Sequence, residues 1–211
     1  MLGAAAVTIW CDVAPEIKDE FDDWHVHEHT PERLSIPGFL RGSRWVSVDG
    51  RNAYHMLYEL EALEVLTAGP YLERLNNPTP WSTKMMPHHR NMVRSLCRVQ
   101  ESFGAGLGEA TLTVRFSQPW RGADLLAMLP ARKGIASAHL LKDAGAVQGG
   151  PTAEQKLRGG DKTADWILLV RGYSVRALEQ LAAGELKEAA PGSVTCIYRL
   201  AYALTARDLG K

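Results

Sequence analysis

The chain has 211 residues, 45% of them hydrophobic and 23% charged, with 24 basic side chains balanced by 24 acidic ones. Such a composition describes a globular protein with a sizeable core, unlike a disordered tail or a collagen. A formal charge of zero with Arg and Lys scattered along the chain argues against nucleic acid as a partner, because phosphate neutralisation calls for a basic excess or stripe.

The N-terminal MLGAAAVTIWCDV has no Lys or Arg ahead of its apolar run, and Asp12 interrupts that run well short of the roughly 20 residues of a membrane span. It reads as a first strand over 4–13, and no membrane partner is expected. Pro15 and Glu16 then open a helix over 15–29 with Ile17, Phe21 and Trp24 at helical spacing. Pro37-Gly38 breaks the chain before a strand at 39–48, Asp49-Gly50 supplies a turn, and a second strand of a hairpin follows at 53–62. A helix over 62–76 and a strand over 92–101 complete the order βαββαβ, the split unit of ferredoxin-like domains.

The second half repeats that order: strand 109–117, a shorter helix near 121–131, strands 135–144 and 164–173, helix 175–189 and strand 193–204. The expected fold class is therefore α+β, two tandem ferredoxin-like repeats at 1–104 and 105–211, with the boundary in the glycine cluster Gly104–Gly108. Each four-stranded sheet has helices on one face only, so its other face needs a cover. Packing the two sheets together closes an eight-stranded barrel within one chain. Two independent domains in a row are the alternative. The Gly-rich segment 145–163 reads as a mobile surface loop. Cys11, Cys97 and Cys196, an odd number at wide spacing inside apolar runs, read as buried free thiols in a reducing, cytoplasmic compartment.

The stretch WHVHEHTPERLSIPGFLRGSRW from Trp24 to Trp45, with His29-Thr30-Pro31 and Pro37-Gly38, resembles the dimeric α+β barrel superfamily and within it the EthD-like proteins. The resemblance covers the first repeat. It implies a pocket between the first helix and the sheet, and small-molecule isomerases, decarboxylases, dehydratases or cofactor-free monooxygenases, with distant heme-binding relatives. The second repeat lacks the aromatic-His-Pro signature, which implies one working pocket of two. The segment 75–90 also looks like a loop of long, two-repeat members.

On a wheel of about 100° per residue with Ile17 at zero, Phe21 falls near 40°, Trp24 near 340° and Glu28 near 20°. Glu28 thus projects from the apolar stripe, and His25 and His29 border it. A carboxylate orienting an imidazole beside an aromatic wall is an acid/base arrangement, with His29 as the base, Glu28 and His25 as its orienters and Trp24 as the wall. The alternative is a helix that ends at His29, Thr30 capping a new turn and Glu28 and His29 solvated. His25–His29 also spells HxxEH, a zinc-peptidase pattern, but the helix is short and no downstream acidic ligand stands out. Arg41 or Arg44 on the second strand, and His55 beside Tyr54 on the third, could reach the pocket, an arginine serving to hold a carboxylate or enolate. His88-His89 could supply a heme ligand, a loop pair being more often at the surface.

The reading is an α+β barrel enzyme acting by proton transfer on a small cyclic or aromatic molecule, with no metal and no cofactor, and with homodimerisation allowed. Two alternatives stand beside it: a heme- or metal-dependent oxidoreductase of the same fold, and a non-catalytic ligand-binding or stress-related protein.

Overall fold

The structure, a computed structural model, describes residues 1–50, 54–120, 122–145 and 150–210. In chain order the first half runs β1 (Ala5–Val13), α1 (Lys18–Trp24), α2 (Thr30–Leu34), β2 (Phe39–Ser47), β3 (Tyr54–Leu60), α3 (Gly69–Asn76), α4 (Pro80–Met85) and β4 (His89–Gly104). The second half runs β5 (Ala110–Phe116), α5 (Ala123–Met128), β6 (Ile135–Asp143), α6 (Ala153–Arg158), β7 (Trp166–Gly172), α7 (Val175–Ala183), α8 (Glu185–Ala189) and β8 (Val194–Thr205).

The eight strands close into one antiparallel barrel in the order β1-β3-β2-β8-β5-β7-β6-β4. Within the first half the neighbours are β4-β1-β3-β2, and within the second they are β8-β5-β7-β6. The seams are β2 on β8, with Gly42 opposite Leu204, and β4 on β6, with Phe103 opposite Ala138. The two halves therefore share one sheet rather than standing as independent domains. Gly104, Gly106 and Gly108 all have positive φ, the conformation the chain needs to leave β4 and enter β5.

Alternation along each strand sorts side chains into three cores. On β1 and β3, Ala5, Val7, Ile9 and Cys11 with Tyr54, Met56, Tyr58 and Leu60 face outward, where Phe21, Trp24, Leu34 and Tyr71 of the first-half helices cover them. Leu112, Val114, Leu168 and Val170 form the matching outer core of the second half under Leu178, Leu181 and Leu186. Between them Trp10, Trp45, Leu57, Ile167, Leu169 and Tyr198 fill the lumen. The three cysteines are buried, and none of them is in a disulfide.

Several boundaries differ from the sequence expectation. The first helix does not end at His29: Thr30 is helical at φ −67°, ψ −46°, and the helix continues to Leu34 through a wide π-type turn at His25–His29. The Thr30 N–H donates to the His25 carbonyl, five residues back, and this widened register takes up the missing N–H of Pro31. The expected strand at 53–62 begins at Tyr54, Ala53 and its neighbours 51–52 lying outside the described residues, as does residue 121 of the helix near 121–131. Residues 146–149 of the expected surface loop also lie outside them, but 150–163 is ordered structure. Thr152 and Gln155 form a capping box at the start of α6, and Lys162 hydrogen-bonds β4 through the Met92 carbonyl and the Arg94 N–H. That structure holds because Glu154 is buried in an ion pair with Arg33 of α2.

The lumen holds a buried charge cluster that takes up Arg41, which had been expected at the pocket. Arg41 Nη2 lies 2.6 Å and Arg171 Nη2 3.0 Å from the same oxygen of Glu59, whose other oxygen accepts from the Leu2 N–H at 2.6 Å. Burial alone would raise the Glu59 carboxyl, but Arg171 and then Arg41 outweigh it and hold it at about 2. With a folded value below the unfolded 4.5, stability from this group is full above pH 4.5 and drains away as pH falls toward 2. Glu59→Gln should cost about 3–5 kcal/mol at pH 7, as expected when one partner of a buried pair is removed. Urea denaturation at pH 7 and pH 3 checks this, and the loss should shrink at the lower pH.

Candidate active site

The π-type turn decides which side chains reach the first-half core. Because five residues span it, His29 swings back over Trp24, the ring centroids 4.4 Å apart, and both are buried. His25 lies 5.5 Å from His29 and is fixed at both ring nitrogens: Thr30 Oγ1 is 2.9 Å from Nδ1 and the Tyr58 hydroxyl 3.3 Å from Nε2. His29 Nδ1 is buried and has no hydrogen-bond partner among the described residues.

His89 at the start of β4 completes the group. It is buried, not a surface residue, and its Nδ1–H donates to the Met86 carbonyl at 3.1 Å, which leaves Nε2 as the lone-pair nitrogen. Its ring packs edge-on against Phe21 at 5.1 Å and Trp24 at 6.0 Å. His25, His29 and His89 line one small cavity of about 30 Å³ with Tyr58, Met56, Met86, Arg33 and Glu154, space on the scale of a water molecule or two.

A larger cleft of about 780 Å³ lies alongside, walled by Leu66, Leu72, Leu75 and Leu96 on one side and by residues 150–163 on the other, within the roughly 300–1,000 Å³ usual for small-molecule sites. Tyr71, Leu75, Arg94 and Arg158 line both spaces and so form the partition between them. The second half of the chain thereby contributes to a first-half site. Glu154 pairs with Arg33, and Arg158 holds Asp161 with two contacts of 2.7 Å.

Electrostatics keep the imidazoles neutral. Burial, then Arg44, pushes His25 well below its ordinary value, and burial, then Arg33, does the same for His29. Burial lowers His89 to about 4 against the opposing pull of its Met86 hydrogen bond. Burial raises the Tyr58 hydroxyl, which stays protonated.

Other expected site residues are placed elsewhere. Glu28 meets neither imidazole: its Oε1 accepts from Thr79 Oγ1 at 2.5 Å, Trp24 Nε1 at 3.2 Å and Ser82 Oγ at 3.2 Å. The wide turn rotates it off the apolar stripe, and it clamps the first turn of α4 and the Trp24 indole. The hydroxyls of Thr30 and Tyr58 hold His25, whereas Glu28, expected to orient His29, is engaged by Thr79, Trp24 and Ser82. Tyr54 donates to Asp22, which also holds Arg44 at 2.8 Å, so these two flank the helix outside the cavity. His55 faces the lumen, stacked on Trp10 at 4.9 Å, and Arg41 belongs to the Glu59 cluster. Strand alternation forbids Tyr54 and His55 from sharing a pocket.

The residues do not fit a heme or a metal. The histidine-lined space is far too small for a porphyrin, among the described residues no histidine lines the large cleft, and Glu28 turns away from the HxxEH pair. Among the described residues no three His, Cys, Asp or Glu side chains converge on one point.

No family model matches the sequence, and no curated protein matches it. Solved structures do. An anthrone oxidase-like protein superposes with a TM-score of 0.62 at 14% identity, covering 96% of this chain and 92% of its own. The chain shares that protein's α+β fold, built on a closed eight-stranded barrel. A presumed monooxygenase from Fusobacterium nucleatum (TM-score 0.57, 8% identity, 97% and 96% covered) and chlorite dismutase from Candidatus Nitrospira defluvii (0.55, 10%, 96% and 93%) share the barrel. At these identities the likeness is one of fold, which hosts many reactions. Among the described residues no helix is long and apolar enough to cross a membrane.

Five buried histidines, His25, His29, His55, His89 and His139, are all held below 6.5 in the folded chain. Unfolding lets them take up protons, so their stabilisation is complete above pH 6.5 and is lost on acidification below it. Each costs about 1.4 kcal/mol per pH unit until its folded value is reached. Urea midpoints should fall steeply between pH 6.5 and 4.5, and a flat profile would contradict neutral imidazoles.

Proposed function

We propose that this protein is an enzyme of the α+β barrel kind that moves a proton on a small cyclic or aromatic substrate, with His29 as the acid/base. The observation that carries this reading is the buried His29 imidazole, its ring 4.4 Å from that of Trp24 and its Nδ1 without a partner among the described residues, across the partition from a cleft of substrate size. Substrate would lie in the large cleft, and the small cavity has room for one water to relay the proton across the partition. His25, held by Thr30 and Tyr58, and His89, held by Met86, would shape that relay, while Trp24 forms its wall.

The EthD-like affiliation is part of the same proposal, supported by His29-Thr30-Pro31 and Pro37-Gly38. So is an internal duplication at 1–104 and 105–211, supported by the matching strand order of the halves. Under it, the absence of a counterpart to His29 in the second half leaves one working site. A closed barrel offers no strand edge to a second copy, so a homodimer would form through the helices.

The test is turnover. Cyclic ketones and phenols are incubated in deuterated water, and deuterium incorporation is followed by NMR. His29→Ala should lower the exchange rate about 10²–10⁴-fold, with ligand affinity changed less than a few-fold. Wild-type activity should persist as pH falls through 6.5 for as long as the chain stays folded, because folded His29 stays unprotonated there. An unaffected variant would sink the assignment, and a Soret band in protein purified without chelator would overturn the cofactor-free mechanism.

A further inference from the structure

Arg94 sits on β4 in the partition between cleft and histidine cavity. Its Nη2 donates to the Tyr71 hydroxyl at 2.6 Å, and it is half-buried without an ion pair among the described residues. The neighbouring charges are already engaged. Arg158 is held by Asp161, and Arg33 by Glu154. Asp143, the other acid of the cleft, accepts from the N–H groups of Leu96 and Gly145 at 3.1 Å each and makes no ion pair with Arg94. Among the described residues the Arg94 charge reaches Asp143 and Asp161 only beyond ion-pair contact, and its planar fork is shaped for a bidentate oxyanion.

We propose that the cleft selects an apolar organic monoanion of the aromatic carboxylate class. Its oxyanion lies on Arg94, oriented by Tyr71, and its ring lies against Leu66, Leu72, Leu75 and Leu96. This rests on the reading of the cleft as the substrate site. It puts the charged end of the molecule at the partition, next to the histidines, and makes Arg94 a specificity-determining residue.

Titration calorimetry with 1-naphthoate and its neutral analogue 1-naphthamide tests the assignment. Wild type should bind naphthoate at least about ten-fold more tightly than the amide, as one charge-assisted pair supplies. Arg94→Gln should lose that preference while keeping amide affinity, and Arg94→Lys should keep most of it. Equal binding of both ligands by wild type, binding of neither, or unchanged naphthoate affinity in Arg94→Gln overturns the proposal. Should Arg94→Gln bind neither ligand, Arg94→Lys decides: retained preference supports the anion site and lost preference overturns it. His29→Ala in the same titration should keep the preference. A preference that survives beside turnover indifferent to His29 would sink the acid/base reading alone and leave the anion site standing.

Discussion

A sheet that closes on itself has no edge and only two faces, so each strand side chain must go into the lumen or out under the helices. Everything else in this protein follows from that division. The lumen is sealed, and its polar groups have to satisfy one another, as Glu59, Arg41 and Arg171 do. The outer face is covered helix by helix, and where the cover is incomplete, along α3, β4 and residues 150–163, it leaves a cleft.

The same division sets the chemistry of the buried histidines. Imidazoles facing a dry core cannot carry charge at neutral pH, and Arg33 and Arg44 nearby reinforce the neutral form. The basic groups are themselves held by acids, Arg33 by Glu154 and Arg44 by Asp22. Neutral nitrogens thus stand beside a network of fixed charges, an environment in which a proton can be accepted and returned.

The cleft is a joint product of the two halves. Strand β4 and helix α3 supply one wall, and residues 150–163 of the β6–β7 connection supply the other. Its anchor is the buried Glu154–Arg33 pair, which ties the connection to the same helical segment that carries His25 and His29. The shape of the cleft and the placement of the histidines are therefore mechanically linked, since both lean on α2.

Much of the fold could be read from residue order alone, because a period of two in strands and of 3.6 in helices is written locally, with Pro and Gly marking the breaks. The βαββαβ order of each half, the glycine crossing at 104–108 and the burial of Trp24 beside His25 and His29 were all legible. The function of Glu28 was not, because a uniform helical wheel carries no sign of the wide turn that Pro31 accompanies. Tyr58, Arg94, Glu154 and the buried place of His89 were equally hidden. They lie far apart in sequence and have no local pattern. The sequence by itself determined which segments become strands and helices and where an aromatic-histidine surface would arise. Only tertiary structure decided which of those residues share a cavity, because that depends on strand register, on the face each residue takes in a closed sheet, and on a distant connection folding over the site.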